Sequence, residues 1–347
     1  MPIDRTCVDK RLVRMDEKQV KKMIIVSATL SFTSSYLLHH PKIPGDIYSD
    51  IVSFWYRPLV NGVRIPYVQE GFEYPPLSGL IVYVSSLVGG GGLVPYYNTF
   101  SLVLFSFYML LVLTVLKVME EKNVPLIYAF IYLIFAPSVI YYLNYNFDVV
   151  FAAFLVLSLT FLEKGRYRLS ALLFSFAMLT KLINVVLLPL ILIYMKDWKG
   201  RMAYLFYALL PFATVNAALQ VLNPSFIRET YIYHAKWGLE NAWFVYLFPS
   251  RDSWDAAKLF SALLMVYGLL KVYISNSGGL YERSFMLLST FLLTSYVFTP
   301  QMVIFILPFL AIAGRFQPAF YALEAGNVGI LLTWFMEEDP LLPGSLP

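Results

Sequence analysis

Charge is scarce in this chain. Only 14% of its 347 residues are Asp, Glu, Lys or Arg, while 59% are hydrophobic. A soluble domain carries roughly 25% charged and 45–50% apolar residues. So few charges cannot clothe a water-facing surface, and the class is therefore a polytopic α-helical membrane protein. Cysteine is almost missing: Cys7 alone excludes an intramolecular disulfide and a cysteine-based metal site. The three histidines, His39, His40 and His234, are too scattered to suggest a metal centre by spacing. A phosphate-cradling glycine loop followed by Lys-Ser/Thr is absent, since nothing basic follows Gly89–Gly92 before Lys117. The net charge of +4 is small and gives no reason to expect a nucleic-acid partner. Repeats of fixed period are missing too, which speaks against a solenoid and against duplicated transporter halves.

What is present is a series of apolar runs separated by polar turns. Residues 1–22 hold seven basic side chains, including Arg14, Lys18, Lys21 and Lys22, against four acidic ones. The positive-inside rule places that segment in the cytoplasm. The run that begins near Met23 reads as a retained signal-anchor rather than a cleaved leader. A transmembrane domain is expected over 23–335, with roughly 10–12 helical segments, and an acidic tail over 336–347. The stretch from 77 to 95 is short for a crossing, which needs about 20 residues. Residues 125–142 read as one helix. Residues 169–194 read as a helical hairpin with Lys181 at its outer tip. With no net crossing by 77–95, the basic turns at 164–168, 196–201 and 271–283 all fall on the cytoplasmic side. The opposite, non-cytoplasmic side then collects a first external loop (40–77), a second (223–255), and residues 144–148 and 299–301.

The first external loop is the most chemically loaded stretch. It carries Asp46, Asp50, Glu70 and Glu73 against Lys42, Arg57 and Arg64, whereas a plain connector is short. Apolar residues at Ile47, Ile51, Phe54 and Trp55 predict an amphipathic helix over 46–56 on the membrane surface, with Asp46 and Asp50 sharing one face. A carboxylate at that interface is partly desolvated and so becomes a better general base. The plainer alternative is an acidic helix start. Glu70 and Glu73 read either as a polar rim before the helix that Pro75-Pro76 starts, or as partners of a sugar hydroxyl or a cation. Asn144, Asn146 and Asp148 read first as helix caps. Lys181 lies in a long apolar stretch, where an ionisable group is costly and asks for a partner anion. His234 and Lys236, beside Trp237, suit a phosphate or a sugar face, or else an interfacial aromatic belt.

The order of these features resembles a family. Asp46 and Asp50, Glu73-Tyr74-Pro75-Pro76-Leu77, Asn146-Phe147-Asp148, Gly165-Arg166, Thr180-Lys181, His234 with Gly238-Leu239-Glu240, and Pro300-Gln301 follow one another as in the polytopic GT-C glycosyltransferases. Specifically, it looks like the polyprenyl-phosphate-mannose-dependent branch, glycosyltransferase family 87. That resemblance implies a GT-C-like bundle and inverting transfer of a hexose, mannose by likeness, from a polyprenyl-phosphate sugar to a glycolipid or glycan acceptor. The reaction would take place beside membrane lipid on the outer face of the cell membrane. It implies Asp46 as catalytic base with Asp50 second. Substrate contacts would come from Glu70, Glu73, Asp148, Lys181, His234, Lys236 and Gln301, with Lys181 first on the lipid phosphate. The family often has arginine where Lys236 stands. Asp46, Asp50 and Glu73 are of the type that holds one divalent ion, Mg or Mn, if their oxygens converge. Two rivals are a polytopic lipid or glycolipid flippase using Asp148 and Lys181 as intramembrane charges, and a non-catalytic assembly subunit.

Overall fold

The computed structural model describes residues 17–43, 47–275 and 277–334, and among them no named β-strand occurs. Among the described residues the first helix is α1 (Glu17–Leu38), which already includes the charged residues ahead of the apolar run. The first loop then forms two short helices, α2 (Asp50–Trp55) and α3 (Pro58–Asn61). Pro75-Pro76 opens α4 (Pro76–Gly89) as expected, and a glycine turn leads into α5 (Leu93–Glu121). The run 125–142 is not one helix. It splits into a helical turn, a π-helical turn (Phe130–Ile134) and α6 (Pro137–Tyr142). Pro137 lacks the N–H that a continuous ladder needs and restricts Ala136 to extended backbone, so the helix must restart there.

Next come α7 (Asp148–Glu163) and α8 (Tyr167–Thr180), a 3-10 segment (Leu182–Leu187) and α9 (Leu188–Tyr194). Then α10 (Trp198–Leu222) leads into the second polar loop, followed by α11 (Trp254–Ile274) and α12 (Leu280–Thr294). A 3-10 segment (Pro300–Phe305), α13 (Leu307–Ala313) and α14 (Ala319–Trp334) complete the described chain. Among the described residues, three helices are long and apolar enough to cross a membrane: α5, α10 and α11 with its preceding turn.

The centre of the bundle is α7. It is apolar all round and buried along nearly its whole length, as a core helix must be. Helices α5 and α8 and the Pro300–Phe305 segment pack against it. At its Glu163 end lie a ring of ion pairs, Lys122–Glu163 at 2.6 Å and Lys164–Glu121 at 2.7 Å, and the pair Lys21–Glu120 that ties in the start of α1. At its Asp148 end the first loop folds down onto the bundle. There His39 bridges the Ile47 and Tyr141 carbonyls at 2.8 and 2.6 Å, and the Ile51 N–H donates to the Tyr145 carbonyl at 3.2 Å. Sixteen residues at about 1.5 Å each separate these two ends by about 24 Å.

Helix α4 stays beside the first loop at both ends. Ser78 Oγ, in its first turn, donates to the Thr180 carbonyl at 2.9 Å, and Trp55 Nε1 donates to the Gly91 carbonyl at 2.7 Å just past its last. Gly91 has φ +74°, and an added Cβ would sit 2.6 Å from the Asn61 carbonyl oxygen. Gly91→Ala is therefore expected to destabilise the protein by about 1–3 kcal/mol. Thermal unfolding in detergent checks this; an unchanged midpoint would mean that the glycine turn does not hold the loop.

Candidate active site

The loop helix α2 differs from the expected surface helix. Ser49 is extended, and its hydroxyl accepts the Val52 N–H at 3.3 Å, so the helix starts at Asp50 and not at 46. Ile51 and Phe54 are buried in the protein core instead of facing lipid. Residues 47–49 are not helical, so α2 does not run back through them. Asp46 itself lies outside the described residues.

Asp50 is held from two sides. Asn146 Nδ2 donates to Oδ2 at 2.6 Å and the Tyr48 hydroxyl donates to Oδ1 at 3.1 Å. Burial pushes its carboxyl up to about 6; the bonds from Asn146 and Tyr48 and the charge of Lys181 pull the other way, while Asp148 adds to the rise. The net result is a carboxylate that is largely ionised at neutral pH yet basic enough to take a proton. Asn146 also donates to the Tyr74 hydroxyl at 3.3 Å, and its Oδ1 accepts the Phe147 N–H at 2.6 Å. The asparagine read first as a cap thus joins the first loop to the start of α7.

Asp148 is no cap either. It is fully buried at the start of α7, and Lys181 Nζ donates to its Oδ1 at 2.5 Å. This is the partner anion that the cost of a buried lysine demanded. Lys181 sits where α8 breaks, in extended backbone, because the chain folds back there. Asn184 Nδ2 reaches the Phe174 carbonyl at 2.9 Å, a contact ten residues apart that a continuous helix forbids. The second carboxyl oxygen of Asp148, Oδ2, is buried with no partner among the described residues.

In front of Lys181 opens a cavity of about 520 Å³. Its polar wall is Glu73, Tyr74, Lys181, Thr230, His234 and Lys258. Its apolar wall comes from Ile183, Ala262, Met265, Phe291 and Met302. Two of its charges are already matched: Lys181 by Asp148, and Glu73 by Arg57, whose Nη1 donates to both carboxyl oxygens at 2.6 and 2.7 Å. The His234 ring lies 5.7 Å from that of Tyr74 and 4.8 Å from that of Trp237. Burial lowers its pKa, and Lys181 adds to the drop against the opposing pull of Glu73 and the Thr230 backbone, so at neutral pH it is an uncharged imidazole. Lys258, 5.5 Å over the Tyr296 ring, forms no ion pair among the described residues. The cavity therefore offers one net positive charge, suited to a singly charged phosphodiester.

Not every expected residue gathers here. Lys236 is exposed beyond the short helical turn of His234 and does not line the cavity; Lys258 takes the place expected of it. Glu70 is drawn into the loop's own scaffold: Arg64 Nη1 donates to it at 2.8 Å and its carbonyl accepts the Tyr67 N–H at 2.7 Å. Gln301 is buried in the 3-10 segment and does not line the cavity, and its Oε1 is unpartnered among the described residues. Lys258 and Asn146 were missed. Lys258 follows Asp255 by three residues at a helix start, which reads as an ordinary surface pair. As for a divalent ion, the oxygens of Asp50 and Glu73 are taken by Asn146, Tyr48 and Arg57. Among the described residues no three His, Cys, Asp or Glu side chains converge on a metal-sized site.

The model of glycosyltransferase family 87 matches residues 72–245, half of the chain. The chain belongs to glycosyltransferase family 87. The matched model is that of a family of glycosyltransferases. The fold agrees: the crystal structure of ArnT from Cupriavidus metallidurans bound to undecaprenyl phosphate superposes with a TM-score of 0.53 at 15% identity. The match covers 91% of this chain and 64% of ArnT, so the chain spans less than two thirds of that protein. No curated protein matches the sequence. This family 87 member thus carries a GT-C-type helical membrane fold, with a cationic cavity and a raised-pKa carboxylate.

Proposed function

We propose that this family 87 chain transfers a hexose, mannose by family likeness, from a polyprenyl-phosphate sugar to a hydroxyl of a glycolipid or glycan, with inversion. The observation that carries the reading is a cavity that combines one unmatched cation with an apolar wall, and whose Tyr74 is linked through Asn146 to Asp50. Asp50 accepts the acceptor's hydroxyl proton as that oxygen attacks the anomeric carbon. The bond from the anomeric carbon to the phosphate oxygen breaks in the same displacement, and its electron pair leaves on the phosphate. Lys258 meets the growing negative charge, and uncharged His234 donates a hydrogen bond to it. Lys181 remains a donor while paired to Asp148. The isoprenoid lies along Met265, Ala262 and Phe291. Undecaprenyl phosphate in the ArnT structure supports a donor of this class. The non-cytoplasmic side is supported by the basic start of α1, which is tied by Lys21 to the opposite end of α7.

Purified protein, radiolabelled polyprenyl-phosphate mannose and a membrane lipid extract test this directly. Labelled product is expected, and Lys258→Gln is expected to raise the KM for donor about 10- to 100-fold, the worth of a charged hydrogen bond. Absence of transfer to any acceptor overturns the reading. An unchanged KM in Lys258→Gln removes Lys258 from the phosphate site. Competition by unlabelled polyprenyl-phosphate glucose decides the donor sugar.

A further inference from the structure

A second cavity lies at the other end of the bundle and has no part in the reaction. It is a groove of about 580 Å³ between α5, α7 and the turn into α8. Its rim carries three cations, Lys117, Lys164 and Arg166, and its walls are the side chains of Leu113, Leu157 and Phe161. Only Lys164 is matched, by Glu121 at 2.7 Å. Among the described residues Lys117 and Arg166 form no ion pair; Arg166 lies 5.9 Å over the Phe161 ring. The spacing gives the groove a direction. Leu113 precedes Lys117 by four residues on α5, and Leu157 precedes Phe161 by four on α7. The apolar wall therefore runs from the cations one to two helical turns toward the middle of the bundle. A charged rim over a greasy channel matches an amphiphile with an anionic head. A free anion has no use for the channel, and a neutral lipid has none for two unpaired cations.

We infer that this groove binds one anionic glycerophospholipid from the leaflet at the ion-paired end of α7, its phosphate at Lys117 and Arg166 and an acyl chain along Leu113, Leu157 and Phe161. Basic residues at that end put the site in the cytoplasmic leaflet, where anionic lipids collect. The bound lipid would brace α5 against α7 and α8 at the end away from the chemistry.

The delipidated full-length protein in neutral detergent, titrated with phosphatidylglycerol and followed by native mass spectrometry, tests this. One lipid is expected to bind, with phosphatidylcholine much weaker. Each rim cation removed should weaken binding about fivefold, so Lys117→Gln with Arg166→Gln should weaken it about 25-fold. A control variant at the same end but outside the groove, Lys196→Gln with Lys199→Gln, should bind as wild type. Both variants are exposed-site changes, and unfolding in lipid-free detergent verifies that they fold. Equal binding of phosphatidylcholine, an equal loss in the control variant, or displacement by inorganic phosphate in excess each overturns the inference. The last result would mean that the rim takes any phosphate.

Discussion

Asp50→Asn is expected to lower the rate of sugar transfer by about 10²- to 10⁴-fold, the usual worth of a positioned general base. The substitution keeps shape and volume but cannot take a proton. It also leaves one of two donors, Asn146 Nδ2 or the Tyr48 hydroxyl, without an acceptor, because an amide presents one oxygen where the carboxylate presents two. The pH profile carries a second signature. With the Asp50 carboxyl pushed up to about 6, kcat/KM should fall about tenfold per pH unit below that value and level off above it. Asn146 donates to the ionised form and holds the pKa down, so Asn146→Ala should move the acid limb to higher pH. A merely structural asparagine would lower activity without moving the limb. Stability should respond with the opposite sign. A carboxyl whose folded pKa lies above its ordinary value of 3.8 favours the folded state only while protonated, so its contribution is lost as pH rises from about 4 to 6. Asp50→Asn should therefore unfold no earlier than wild type at neutral pH, which separates loss of the base from loss of the fold. The rival is Asp46, where the family resemblance puts the base. If Asp46→Asn abolishes transfer while Asp50→Asn keeps it within threefold or so, Asp50 is a loop anchor and the base assignment moves.

Much of this architecture could be read from the chain because it rests on local rules. Scarce charge implied a membrane bundle, Pro75-Pro76 marked the start of α4, and the expense of a lone cation in an apolar run pointed from Lys181 to an unseen anion. The collinear order of weak motifs pointed to the family that the match over residues 72–245 establishes. What stayed hidden depends on contacts between distant residues. Asn146 and Asp50 are 96 positions apart, and an asparagine between two helices looks like a cap until its donor is seen on the carboxylate. Lys258 becomes a cavity cation only when α11 packs beside the second loop, while Lys236, nearer to His234 in sequence, turns outward. The loop helix failed for a different reason. Its apolar spacing was real, but Ile51 and Phe54 serve the protein core, and periodicity does not tell a lipid-facing stripe from a core-facing one. Pro137 was readable by rule, yet the apolar run around it masked the break.

The largest effect on stability is expected from separating Asp148 from Lys181. Both side chains are buried, with relative exposures of 0% and 9%, so neither charge can turn to water when the other is removed. Asp148→Asn leaves an uncompensated ammonium among apolar helices and should cost about 3–5 kcal/mol. Lys181→Met should cost a similar amount, since the carboxylate already has one buried oxygen without a partner. The double variant Asp148→Leu with Lys181→Met is the informative one. Removing both charges also removes both desolvation penalties, so most of the lost stability should return. Unfolding in detergent and the yield of monodisperse protein measure this. Activity should not return with the fold, because Lys181 faces the cavity and the donor would meet a thioether in place of a cation. A double variant that regains both stability and transfer would make the pair a structural tie between α7 and the end of α8, and would leave the phosphate to Lys258 and His234. A double variant that stays folded and inactive, with a raised KM for the lipid donor, would mean that this buried charge is retained for the substrate and not for the bundle. Stability alone cannot tell these outcomes apart, because an apolar pair of similar volume would hold the two helices as well as the ions do.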